Sequence, residues 1–290
     1  MVEEIKIGMI GLDTSHAVEF PRRMQAPDCP EDQKVEGMKV KTCLRFETPF
    51  QDKEGLDERQ AQLEEWGVKV TEEFSEVVKD IDAIMLEIND PAYHLEYFEK
   101  CVDLNKPVFL DKPLADNIEN GKKIVELAKE NNIRLFSSSS LRFVPQLDES
   151  LAEINDPLYG YSYGPLGEAP AGSNIVWYGV HAFEMLERAM GTGAKNVYTK
   201  EDKAGVVVAI EYPEKRRGIV ELTRGAYVYG GCLRTNEKAA PFVVNTSRIY
   251  TDQLKEIASF FRGNNPPLEL EDTLEIMKLL DAAERSLQTG

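Results

Sequence analysis

The chain is short of the residues that build metal clusters. It has four cysteines, Cys29, Cys43, Cys101 and Cys232, with no CxxC pair among them, and only three histidines. A structural zinc site therefore has little to build on, and no metal is expected. Positive charge is the scarcer sign, with 34 Lys and Arg against 51 Asp and Glu and a formal net charge of −17. Such a field repels nucleic acid and anionic membrane, so neither is expected as a partner. An anionic ligand would need local cations or helix N-termini to overcome it. No apolar segment reaches membrane-spanning length. The N-terminus, Met1-Val-Glu-Glu-Ile-Lys-Ile-Gly, lacks the basic and long apolar regions of a secretory signal. A reduced, cytoplasmic protein is the expectation.

What is present is a globular composition, 42% hydrophobic over 290 residues, more than one compact core usually holds. Two domains are expected, residues 1–143 and 144–290, with the final helix available to pack back on the first. Ile5-Lys-Ile-Gly-Met-Ile-Gly reads as a buried strand and turn, followed by a short helix over 15–24 that Pro21 must start late or kink. Further strands are expected at 38–44, 81–88, 107–110 and 133–138. Helices are expected near 74–79 and over 92–104 and 117–131. That alternation predicts parallel βαβ units and a Rossmann-like doubly wound sheet. After Pro145 the pattern changes. A helix near 146–154, a Tyr/Gly/Pro-rich stretch over 157–173 and an apolar helix over 178–190 precede consecutive extended segments at 195–199, 205–212, 218–222 and 229–235. These predict an α+β domain on an open antiparallel sheet, closed by helices at 251–261 and 270–288.

Several residues at expected strand ends could carry chemistry. Gly11-Leu12-Asp13-Thr14-Ser15-His16 occupies the turn where a dinucleotide fold has GxGxxG, but only the first glycine stands, with Asp13 and His16 in the other two places. Either Thr14, Ser15 and nearby amides bind phosphate with Asp13 turned away, or these residues only cap the helix. Arg45, after the second strand, is placed for a ribose 2′-phosphate, or is a solvated strand-end charge. Asn89 could offer its amide to a nicotinamide ribose, and His94 follows in the first turn of the next helix. Lys112 ends the fifth strand in Val108-Phe-Leu-Asp111-Lys112-Pro-Leu, where ligands collect in open α/β sheets, and Asp111 is its nearest acid.

Taken in order, Ile-Gly-Met-Ile-Gly11, Ile81-Asp-Ala-Ile, His94, Lys106-Pro-Val-Phe-Leu-Asp-Lys112-Pro-Leu, Arg142-Phe-Val-Pro145 and Gly179-Val-His181-Ala-Phe-Glu184 resemble the Gfo/Idh/MocA oxidoreductases. The resemblance spans essentially the whole chain. It implies a Rossmann domain binding NAD or NADP, a second domain with an open antiparallel sheet, and hydride transfer at a sugar, polyol or cyclitol hydroxyl or ketone. It implies that Lys112 lies near cofactor and substrate and that His181 is the acid/base or a substrate ligand. It places Arg142 with the cofactor residues. A neutral imidazole can take the hydroxyl proton as hydride leaves, and an ammonium stabilises alkoxide charge. Trp177 stands where relatives carry Asp and Glu184 where Asp is usual; Trp177 and Tyr178 could stack on a sugar ring or belong to the core. A catalytically silent relative that binds a nucleotide or carbohydrate as a sensor remains open. So does a structural homo-oligomer built through the C-terminal sheet, with Tyr227, Val228 and Tyr229 on one face.

Overall fold

A computed structural model describes residues 4–289. They divide into two units. The first comprises the chain up to Ala115, Glu119–Ser137 and Tyr250–Leu270; the second comprises Asp116–Ile118, Ser138–Ile249 and the residues from Glu271 on. The chain thus returns to its first unit near residue 250 rather than dividing once at 143/144.

In the first unit β1 (Ile5–Ile10), β2 (Met38–Leu44), β3 (Lys69–Thr71), β4 (Ala83–Leu86), β5 (Val108–Leu110) and β6 (Leu135–Phe136) form one sheet in the order β3-β2-β1-β4-β5-β6. Every pair is parallel. The order reverses between β1 and β4, the switch point outside which α/β folds collect ligands. The central strands are continuous apolar runs, all of β4 and β5 being buried, because helices cover both faces of a parallel sheet. The helices are α1 (His16–Gln25), α2 (Lys53–Glu65), α3 (Phe74–Val77), α4 (His94–Cys101) and α5 (Ile118–Glu130). α1 runs through Pro21 instead of starting after it, since the missing N–H removes a single bond near the helix start. α2 and β3 are absent from the sequence pattern. α2 buries only Leu56 and Leu63, one residue every second turn, and is nucleated by Asp52, whose side chain accepts the Gly55 N–H at 2.9 Å.

The second unit contains α6 (Pro145–Glu153), β7 (Tyr159–Pro165), α7 (Val180–Met190), β8 (Asn196–Glu201), β9 (Gly205–Glu211), β10 (Arg217–Thr223), β11 (Gly230–Arg234) and β12 (Ala239–Val243). The sheet order is β12-β11-β7-β10-β9-β8. It is mixed rather than purely antiparallel, because β7 pairs in parallel with β10 and the remaining neighbours are antiparallel. β7 comes from the Tyr/Gly/Pro-rich stretch, for which the sequence pattern indicates no element. Its glycines are what the site requires: a Cβ on Gly160 would lie 2.8 Å from Leu186 and Met190 of α7. Val208, Ile210, Val220 and Leu222 are buried on the α7 side, while Tyr198 and Val207 are 55% and 42% exposed on the other.

Two helices complete the fold. α8 (Ile249–Phe261) joins the first unit, and α9 (Leu270–Thr289) lies almost wholly in the second. α8 is held by edge-to-face rings running Phe20–Phe109–Phe136–Phe260, with centroids 6.3, 5.3 and 5.7 Å apart, each pair contributing about 0.5–1.5 kcal/mol beyond burial. α9 is tied to the sheet of its own unit. Its Glu275 accepts the N–H groups of Gly193 and Ala194 at 2.9 and 3.0 Å, and Ser286 accepts that of Thr199 at 2.9 Å.

Candidate functional site

In the first unit the candidate residues gather at the carboxyl ends of β1, β4 and β5. Gly11 follows β1 with φ +107°, and a Cβ there would lie 2.2 Å from the Glu87 carbonyl oxygen, so only glycine lets the first turn touch the end of β4. Leu12 is buried and its carbonyl accepts from Arg59 at 2.9 Å. Asp13 turns inward: Oδ1 accepts the Asn89 N–H at 2.8 Å, and Oδ2 accepts the Thr48 hydroxyl at 2.7 Å and the Asp90 N–H at 3.3 Å. Burial raises the Asp13 pKa against these bonds. Its carboxylate is thus committed to the β4 loop and withdrawn from the start of α1. Thr14 Oγ1 accepts the His16 N–H at 3.2 Å, while Ser15 makes no side-chain cap and is the one exposed residue of the turn. A ten-residue helix beginning at an exposed, uncapped serine fits a phosphate better than the sequence suggests, because the acid that would repel it points elsewhere.

His16 and Asp111 meet through Nδ1 and Oδ2 at 2.7 Å, and Asp111 Oδ1 accepts the Lys112 N–H at 2.8 Å. Glu87 lies in the same group and was not anticipated. The available signal was an acid embedded in the apolar run Ile84-Met-Leu-Glu-Ile. Burial, and then the Asp111 charge, push the Glu87 carboxyl well above the usual carboxylate range. Asp111 moves the other way: burial acts to raise it, but His16 and Lys112 outweigh that and its pKa is lowered.

Three of the expected cofactor residues are engaged elsewhere. Arg45 is tied to Gln60 and Asp57 of α2, the solvated strand-end charge being satisfied within its own layer. His94 is fully buried, with Nε2 2.8 Å from the Ile88 carbonyl and Nδ1 3.3 Å from that of Leu114, which leaves neither ring nitrogen for a cofactor. Arg142 belongs to the second unit, where its buried guanidinium pairs with Glu184 at 3.3 Å and Glu187 at 2.5 Å. There it is an ion-pair residue of that unit's core.

His181 is the second residue of α7, entered through a π-turn over Ile175–Gly179 that carries Trp177 and Tyr178. Such turns often mark functional sites, since the extra residue re-aims the side chains. Nδ1 of His181 lies 2.6 Å from the Ser139 hydroxyl, which itself accepts the Leu141 N–H at 3.1 Å. The Tyr178 and Tyr229 rings stand edge-on to the imidazole at 5.3 and 5.9 Å. Ser139 is anchored in turn, its N–H donating to Glu184 Oε1 at 2.9 Å. Burial first, helped by the Glu187 charge and opposed by Arg142 and the Ser139 amide, raises Glu184 to about 7. Ser139 was not picked out by sequence, lying in a uniform serine run.

Beside this centre a cavity of about 240 Å³ is lined by Trp177, Tyr178, Tyr227, Arg224 and Glu168 among others. Aromatic faces with one cation and one anion suit a polyhydroxylated ring of sugar size. Tyr227, Val228 and Tyr229 do not share one face: the first two are 70% and 60% exposed, whereas Tyr229 is 9% exposed and turned to His181.

Residues 53–139 match a protein family described as "Oxidoreductase family, NAD-binding Rossmann fold", GFO_IDH_MocA. Among solved structures, scyllo-inositol dehydrogenase from Lactobacillus casei with bound NAD(H) and scyllo-inositol is 16% identical, with a TM-score of 0.77 over 99% of this chain and 98% of that one. Myo-inositol 2-dehydrogenase from Lactobacillus plantarum is 15% identical at TM-score 0.79, covering 99% of this chain and 98% of that one. A probable dehydrogenase from Thermotoga maritima is 19% identical at TM-score 0.73, over 98% and 97%. At these identities the likeness is one of fold. Among the described residues no helix is long and apolar enough to cross a membrane.

Proposed function

We propose, from the match of residues 53–139 to the family described as "Oxidoreductase family, NAD-binding Rossmann fold", that the chain is an NAD(P)-dependent oxidoreductase acting on a hydroxyl or ketone of a sugar, polyol or cyclitol. The nicotinamide, when bound, supplies the hydride acceptor or donor. Gly11 to Ser15 would hold the pyrophosphate, with Asp13 turned away, and Asn89 would hold the ribose. In this proposal the Lys112 ammonium stabilises alkoxide charge at the reacting oxygen. His181, its Nδ1 held by the Ser139 hydroxyl, exchanges the hydroxyl proton. Trp177 and Tyr178 would pack on the sugar ring. Arg45, tied to Asp57, gives little support for a 2′-phosphate, so NAD is favoured over NADP.

The observation that carries most weight is the first turn, where Gly11 meets the end of β4 and Asp13 is withdrawn from an exposed helix start. A second reading, binding without turnover, is favoured by a hydroxyl on Nδ1 of His181 and a tryptophan at position 177, both where a carboxylate would strengthen a base. Titrating the protein with NADH and NADPH, followed by nicotinamide fluorescence, tests the main proposal, and no change with either cofactor overturns it. Binding with no turnover across inositols, hexoses and polyols would establish the second. Association through the exposed sheet face is part of the same expectation, and light scattering measures it.

A further inference from the structure

Three side chains able to ligate a metal meet in the first unit, and the proposed hydride chemistry uses none of them. His16, Glu87 and Asp111 each bring one ligand atom to within 4.8 Å of the other two. The topology makes this happen. β1, β4 and β5 are adjacent, so the residues just beyond β4 and β5 are neighbours, and α1 begins from the turn that follows β1. The backbone is fixed on both sides: the Glu87 N–H donates to Ile10 O at 2.8 Å and the Asp111 N–H to Leu86 O at 2.9 Å. Tyr250 and Phe20 pack on the His16 ring at 5.1 and 5.3 Å. Glu87 and Asp111 are 0% exposed and His16 is 5% exposed.

A cluster of this kind would ordinarily be satisfied within itself, and here it is not. Both carboxylate oxygens of Glu87 are sealed from solvent without a hydrogen-bond partner, in a protein where Asp13, a carboxylate nearly as buried, has three. Protein interiors rarely leave such atoms orphaned, because desolvation is then uncompensated. The Lys112 charge acts on Glu87 and opposes the rise of its pKa, yet it donates no hydrogen bond to either carboxylate oxygen.

We propose that His16, Glu87 and Asp111 bind a divalent transition-metal cation of the Zn²⁺ class. One imidazole and two carboxylates form a nitrogen–oxygen set that suits Zn²⁺, and Mn²⁺ or Fe²⁺ less tightly, better than Ca²⁺ or Mg²⁺, which prefer oxygen and water. The two carboxylate charges balance the cation, and three protein ligands leave a fourth position open. Bonds of about 2.1 Å place tetrahedral ligand atoms roughly 3.4 Å apart, so side-chain shifts of about 1 Å gather the three. The histidine scarcity that argues against a four-ligand structural site does not bear on this one, which needs a single imidazole. The inference is independent of the proposed dehydrogenase activity.

The test strips the full-length protein with a chelator, adds Zn²⁺, and measures bound metal by mass spectrometry and thermal stability by calorimetry. One equivalent is expected, with a rise in Tm of roughly 5–10 °C at hundredfold excess over Kd. Glu87→Gln should weaken binding at least tenfold without lowering the metal-free Tm, and Glu87→Leu should abolish binding and raise it. Less than a tenth of an equivalent on the native protein, or native-like uptake by both variants, overturns the proposal. Because the variants are exposed to folding failure, Co²⁺ is also added to the native protein. A visible absorption typical of four-coordinate nitrogen–oxygen ligation supports the site, and an octahedral aquo spectrum sinks it. NADH titration of the same stripped protein separates the two readings: metal uptake without NADH binding removes the dehydrogenase and leaves the cation site standing.

Discussion

Replacing Arg142 with alanine isolates the ion-pair core of the second unit. The guanidinium is 8% exposed, and the side chains of its partners, Glu184 and Glu187, are 3% and 2% exposed. Removing one member of a buried ionic group leaves uncompensated charge and costs about 3–5 kcal/mol. For a chain of this size that lowers Tm by roughly 6–20 °C. The pH dependence carries the sharper test. Glu184 is raised from its ordinary 4.5 to about 7, so its contribution to stability is fully present below 4.5 and falls away as pH rises to about 7. In the variant the lowering influence of Arg142 is gone, Glu184 rises further, and additional stability is lost above pH 7. Glu187, also raised by burial and also held down by Arg142, changes in the same sense. The deficit of Arg142→Ala relative to the native protein should therefore be small at pH 5, about 1–2 kcal/mol from lost packing and hydrogen bonds, and full at pH 8. Calorimetry of both proteins at the two pH values measures it, and common titrations cancel in the difference. An equal deficit at pH 5 and pH 8, or a Tm change under about 2 °C at pH 8, would refute the electrostatic account.

Gly11→Ala should disrupt the first unit, since its Cβ would meet backbone at 2.2 Å under a φ of +107°. We expect a loss above about 3 kcal/mol, read as poor solubility or a collapsed urea midpoint; a native-like midpoint would show that the turn relaxes freely. Ser139→Ala removes the partner of His181 Nδ1 and the bond to the Leu141 N–H, at a stability cost of about 1–2 kcal/mol. If His181 is the base, turnover falls and its pH profile shifts while NADH affinity stays unchanged, and an unmoved profile would remove Ser139 from the proton path.

The sequence by itself determined the first sheet and its ligand edge. Continuous apolar strands separated by amphipathic helices leave few alternatives to a doubly wound sheet, and Gly11, Asp13, Asn89 and Lys112 fall where strands end. Tertiary structure alone decided what each polar group does there. Asp13 looked hostile to phosphate and proved to be bound to amides more than seventy residues away. His94 and Arg142 looked like site residues and are satisfied inside their own units. Glu87 and Ser139 gained their importance only from neighbours contributed by other strands and helices. β7 could not be read from glycine and tyrosine spacing, because its small residues answer to α7 pressing from above. Periodicity is a local property of the chain and survives in one dimension. Hydrogen-bond partners and burial are properties of segments far apart in sequence, and they exist only once the chain has folded.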